Sequence, residues 1–86
     1  MFLHIGGDLV VAKEEILAIM DMESTSLSNI TKEFLKTEQM RDNVVNVDME
    51  NLPKSYVLCE TGGKTVLYIS PIAASTLLKR AQMKEY

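Results

Sequence analysis

Ser55-Tyr56-Val57-Leu58-Cys59-Glu60-Thr61-Gly62-Gly63-Lys64-Thr65-Val66-Leu67-Tyr68-Ile69-Ser70 is the stretch that decides the fold. Two runs rich in β-branched and aromatic residues flank a short polar segment with a glycine pair. That pattern predicts a β-hairpin with strands over residues 55–60 and 65–70. The same stretch contains Gly63-Lys64-Thr65, the ending of a phosphate-binding loop. Such a loop needs another glycine five places earlier, where Leu58 stands, and a helix directly after it. A strand follows instead, so the glycines are those of a hairpin turn.

Downstream, Ser70-Pro71 offers a serine N-cap and a proline at the first helical position, predicting a helix over residues 72–83. Ala74, Leu77, Leu78 and Ala81 form its apolar stripe, with Thr76, Lys79, Arg80 and Met83 opposite. Upstream, residues 48–53 read as a polar loop and residues 44–47 as a short strand. Leu27, Ile30 and Phe34 recur at helical spacing after a segment rich in N-cap residues, so a helix is expected over residues 28–41. Residues 13–20 contain good helix formers. The apolar run Ile16-Leu17-Ala18-Ile19-Met20, bounded by charges on both sides, fits a buried strand, and a strand is the expectation. Strands over residues 9–12 and 2–5 flank the turn Gly6-Gly7-Asp8. The expected class is α+β: one domain over residues 1–86, with a small mixed or antiparallel sheet and two helices in the order β-β-β-α-β-β-β-α.

A chain of 86 residues has a core of limited size. Disulfides do not add to it, because Cys59 is the only cysteine. Nor do His4 and Cys59 suffice for a closed zinc site in one chain, so neither a metal nor a cofactor is expected. Assembly into a homo-oligomer is the remaining way to gain stability. The N-terminus lacks a basic leader, and no apolar run approaches the roughly 20 residues that span a bilayer. A cytoplasmic protein without membrane contact is the expectation.

No catalytic constellation emerges. Gly6-Gly7-Asp8 resembles the opening of a diguanylate cyclase signature, but Leu9 and Val10 follow in place of an acid and an aromatic. His4 has no second histidine, and Cys59 sits in a strand as a small hydrophobe. Adjacent Glu14 and Glu15 in an extended chain point to opposite faces, which does not suit joint acid/base work. Charge is more informative. Residues 1–50 carry four basic and ten acidic side chains, a net of −6, whereas residues 51–86 carry five basic and two acidic, a net of +3. Such asymmetry permits a basic surface on an acidic protein, with Lys79 and Arg80 of the last helix as its candidate groups and Thr76 as a hydroxyl for phosphate. The plainer account is a solvated helix face.

Three stretches together resemble the bacterial extracellular-matrix regulator family. They are Phe2-Leu3-His4-Ile5-Gly6-Gly7-Asp8-Leu9-Val10-Val11, Pro53-Lys54-Ser55-Tyr56-Val57-Leu58, and Tyr68-Ile69-Ser70-Pro71 with Ser75-Thr76-Leu77-Leu78-Lys79-Arg80-Ala81-Gln82. The likeness is to the RemB-like branch more than to the RemA-like one. It implies a cytoplasmic bacterial protein linked to biofilm-matrix gene activation, and RemA-like relatives form ring-shaped homo-oligomers that bind DNA through arginines. The positions of those arginines fall here on Glu15, Asn51 and Leu52, with a basic residue kept only at Lys54. Two expectations result. The first is a homo-oligomeric DNA-binding regulator with Lys54, Lys64, Lys79 and Arg80 as phosphate contacts and no catalytic residue. The second is an assembly protein that joins a related regulator without touching DNA.

Overall fold

The computed structural model describes residues 1–24 and 43–82. Its elements are β1 (Phe2–Gly6), β2 (Leu9–Ala12), a 3-10 turn at Lys13–Glu15, β3 (Ile16–Asp21), β4 (Val44–Asn46), β5 (Ser55–Thr61), β6 (Lys64–Ser70) and α1 (Ala74–Gln82). The helix expected over residues 28–41 lies outside the described residues.

The glycine pair builds the centre. β5 and β6 pair antiparallel from Ser55↔Ser70 to Thr61↔Lys64, leaving Gly62 and Gly63 as a two-residue turn. Their φ angles are 57° and 80°, the left-handed pair that suits the twist of a tight hairpin and that glycine adopts without strain. β3 adds antiparallel beside β5, and β4 adds parallel beside β6, giving a mixed sheet in the order β3-β5-β6-β4. Ile16–Asp21 is a strand, as its apolar run predicts, although a bulge between Ile16 and Ala18 leaves Leu17 exposed.

The strands do not all join one sheet. β1 and β2 form a separate two-stranded ribbon, which the 3-10 turn at Lys13–Glu15 detaches from β3. Leu3, Ile5 and Val11 of the ribbon pack with Leu77 of α1 over Val57 and Cys59 of β5. The opposite sheet face gathers Tyr56, Leu58 and Leu67, with Ala18, Met20, Met22, Val44 and Ile69 around them. Both faces of β5 are therefore buried, which explains its unbroken apolar run.

Ribbon, sheet and helix meet at one corner. Ser55 and Ser70 face each other across the hairpin and are fully buried. Ser55 Oγ donates to the Ile72 carbonyl at 2.7 Å, and Ser70 Oγ donates to the Ile5 carbonyl at 2.5 Å. Gly6 (φ 131°) lies so close to the next residue of the corner that a Cβ there would stand 2.8 Å from Pro71 Cδ. Glycine is required at Gly6 both for its backbone angle and for space.

This corner corrects the expected helix start. Ser70 is the last residue of β6, and its hydroxyl, committed to Ile5, accepts only from the Ile72 amide at 3.0 Å. The first intrahelical bond runs from the Leu77 amide to the Ala73 carbonyl, so the helix begins at Ala74 rather than residue 72. The predicted stripe is also too wide. Ala74 and Leu77 are buried and Ala81 is half-buried, but Leu78 is 43 % exposed because ribbon and sheet cover only a narrower strip of the helix.

Candidate nucleic-acid interface

With Ala74 and Leu77 facing the core, Thr76, Lys79 and Arg80 are all exposed on α1. Successive helical residues turn by about 100°, so Lys79 and Arg80 spread over a broad outer face instead of stacking in one column. Among the described residues, neither has a carboxylate partner. Both stand in the last turn, where positive charge also offsets the negative end of the helix dipole.

Lys54 has different surroundings. Its amide donates to the Ser70 carbonyl at 2.8 Å, and its carbonyl accepts from the Met22 amide at 3.1 Å, tying the loop before β5 to the end of β3. The side chain lines a half-open groove of ≈ 630 Å³ between β3 and α1, together with Ile19, Asp21, Glu23, Pro53 and Leu78. Two carboxylates thus share the space of this lysine and lower the local potential for an anionic ligand.

Lys64 is far from Lys54. It closes the hairpin opposite Thr61, six residues along the ladder from the Ser55↔Ser70 pair, which is about 20 Å at ordinary strand rise. Beside it, Thr61 Oγ1 donates to Glu15 Oε2, so Glu15 is bound to the hairpin tip. Of the four expected contacts, Lys79 and Arg80 adjoin, Lys54 lies in the groove along the same helix, and Lys64 occupies the other end of the sheet. Asp21, Glu23 and Leu78 are the groove residues that sequence reasoning missed. No local pattern brings β3 and the loop before β5 together.

The remaining chemistry-bearing groups are structural in their surroundings. Burial, with the Glu15 carboxylate as a lesser cause, pushes the Cys59 thiol up to about 11, so it stays protonated at neutral pH. His4 Nε2 donates to the Gly7 carbonyl at 2.7 Å, holding the β1–β2 turn. The N-terminal ammonium of Met1 donates to Glu14 Oε1 at 3.0 Å, and this bond holds the Glu14 carboxyl below its ordinary value. No helix among the described residues is long and apolar enough to cross a membrane.

The sequence model of the RemA-like family, described as extracellular matrix regulatory protein A-like, matches residues 2–81. The chain belongs to the RemA-like family. The match runs from β1 through nearly all of α1, so the RemA-like unit includes ribbon, sheet, corner and helix. Within the family the chain is RemB-like. It is similar to extracellular matrix regulatory protein B of Bacillus subtilis (strain 168), with 37% identity over 82 residues, covering 95% of this chain and 91% of that protein.

Proposed function

We propose that this RemA-like protein is a non-enzymatic regulator of extracellular-matrix and biofilm genes that acts in the cytoplasm as a DNA-binding homo-oligomer. The single observation that carries DNA binding is the adjacent pair Lys79 and Arg80, exposed on α1 and free of carboxylate partners among the described residues. Regulation of matrix genes rests on the family. Assembly is supported by the apolar side chains left in water, including Phe2 at 66 % and Leu17 at 56 % exposure. It is also what DNA binding needs, because two phosphate contacts per subunit add up only when subunits repeat along the duplex. Sequence preference then comes from DNA shape and subunit spacing, since α1 presents no Asn or Arg pair arranged to read base edges.

A mobility-shift titration at several salt concentrations tests this. The double change Lys79→Glu, Arg80→Glu weakens binding equally on all sequences, and the slope of log affinity against log salt flattens by about 2 for each subunit engaged. Lys64→Glu, at the far end of the sheet, serves as the comparison and leaves the slope alone. Affinity unchanged by the double reversal removes α1 as the interface.

A second role is favoured by Glu15, whose carboxylate is bound to Thr61, and by the formal net charge of −3. In that role the protein joins a related regulator in mixed assemblies and does not contact DNA. Absence of any shift with micromolar protein at low salt, together with co-elution with such a regulator, selects it.

A further inference from the structure

The first turn of α1 carries two exposed hydroxyls, Ser75 and Thr76, and among the described residues neither makes a hydrogen bond. Their surroundings differ. At about 100° per residue, Thr76 falls between Lys79 and Arg80 around the helix, about 60° from the first and about 40° from the second. Side chains three and four residues apart on a helix are neighbours, so Thr76 meets both cations from the turn before them. Ser75 lies about 140° from Arg80. It lines the groove that also holds Asp21 and Glu23. Lys79 and Arg80 have no carboxylate partner among the described residues, and the first turn of α1 contains no acid. A single hydroxyl is thus set against a pair of positive groups that nothing nearby neutralises.

We infer that Thr76 is a phosphorylation site whose phosphate, held by Lys79 and Arg80, displaces DNA from α1. The transfer uses a protein kinase and a nucleoside triphosphate. Thr76 Oγ attacks the terminal phosphorus and forms an O–P bond. The bond from that phosphorus to the bridging oxygen breaks, and the nucleoside diphosphate leaves with its electron pair. The hydroxyl proton passes to the kinase's base. Hydrolysis of the ester by water, on a phosphatase, restores the hydroxyl and releases inorganic phosphate. The phosphothreonine bears close to two negative charges at neutral pH, enough to offset both cations. Being tethered, it competes with a DNA phosphate for the same groups at high effective concentration. On Ser75 a phosphate would meet Asp21 and Glu23 as like charges, which singles out Thr76. Negative charge in the first turn also suits the helix dipole, so the modified chain keeps its fold.

This inference rests on the proposed DNA binding and adds how that binding is switched off. It gives the exposed cation pair two exclusive partners, a phosphate of the duplex or a phosphate of its own helix.

Phosphopeptide mass spectrometry on the chain isolated from its own cells, with and without matrix formation, reads the occupancy of residue 76. Phosphate on Thr76 in one of the two conditions is expected, and its absence from both overturns the site. The effect on DNA is read with the full chain carrying phosphothreonine at residue 76, beside Thr76→Glu and Thr76→Gln. Both substitutions lose the hydroxyl, so the difference between them reports charge. In mobility-shift titrations Thr76→Glu binds roughly tenfold more weakly than Thr76→Gln, and the phosphothreonine chain binds more weakly still. The salt slope flattens by about 1 per engaged subunit for Thr76→Glu and by about 2 for phosphothreonine. Equal affinity of all three chains, where the parent binds, overturns the switch but leaves the proposed DNA binding standing. A parent chain that binds no DNA overturns that function and the switch together, and phosphorus-31 NMR then judges the pairing alone. The phosphothreonine resonance should titrate at lower pH than in a chain also carrying Lys79→Met and Arg80→Met. A titration that those two changes leave unmoved overturns the pairing. Thermal unfolding of each chain verifies that it is folded, and a midpoint for the phosphothreonine chain no lower than that of the parent is expected.

Discussion

The two ends of the β5–β6 hairpin use the same residue types for opposite purposes. At the turn, a Cβ on Gly62 or Gly63 would meet nothing within 4 Å, and glycine is there for its backbone angle alone. At the corner, Gly6 needs its angle and also the space beside Pro71, and the hydroxyls of Ser55 and Ser70 are buried and bonded to other elements. One end is held by local conformation and the other by packing between distant parts of the chain. A substitution costs little where only φ is at stake, and much where a neighbour must also move.

That contrast breaks most visibly at Gly6. Gly6→Ala places a Cβ 2.8 Å from a proline ring at φ 131°, and should destabilise the protein by about 3 kcal/mol or more. Urea denaturation measures the loss, and adding Pro71→Ala to the same chain recovers the part due to the clash. Ser70→Ala comes next. It leaves the Ile5 carbonyl and the Ile72 amide without their hydroxyl partner in a buried corner, an expected loss of about 2 kcal/mol by the same measurement. Gly62→Ala is the smallest of the three, about 1 kcal/mol, because only left-handed strain opposes it. A loss at Gly62 equal to that at Gly6 would erase the distinction between the two ends.

Local signals made much of the architecture legible. Gly62-Gly63 between β-rich runs marks the hairpin, and the five-residue apolar run from Ile16 marks β3. The errors fall where distant residues outcompete local ones. Ser70-Pro71 has the form of a helix start, yet the Ser70 hydroxyl is taken by the carbonyl of Ile5, 65 residues away in sequence. Leu78 has the spacing of a core residue, but helical spacing does not say how wide a strip the ribbon and sheet will cover. The same applies to the candidate site. Exposure of Lys79 follows from its place opposite Leu77 and that of Arg80 from its place off the stripe of Ala74, Leu77 and Ala81, whereas the acidic surroundings of Lys54 depend on its backbone bond to Met22, which no nearby residue announces.

The bond from Ser70 to Ile5 has a consequence for the order in which the molecule is made. The β1–β2 ribbon leaves the ribosome early, but its anchor is translated 65 residues later. Until β5 and the corner follow, the ribbon is a two-stranded hairpin without most of the core it packs upon, and such hairpins are marginal in water. A nascent chain stopped short of Ser70 thus holds its first strands without the corner that secures them, and the fold is locked only as the final helix emerges.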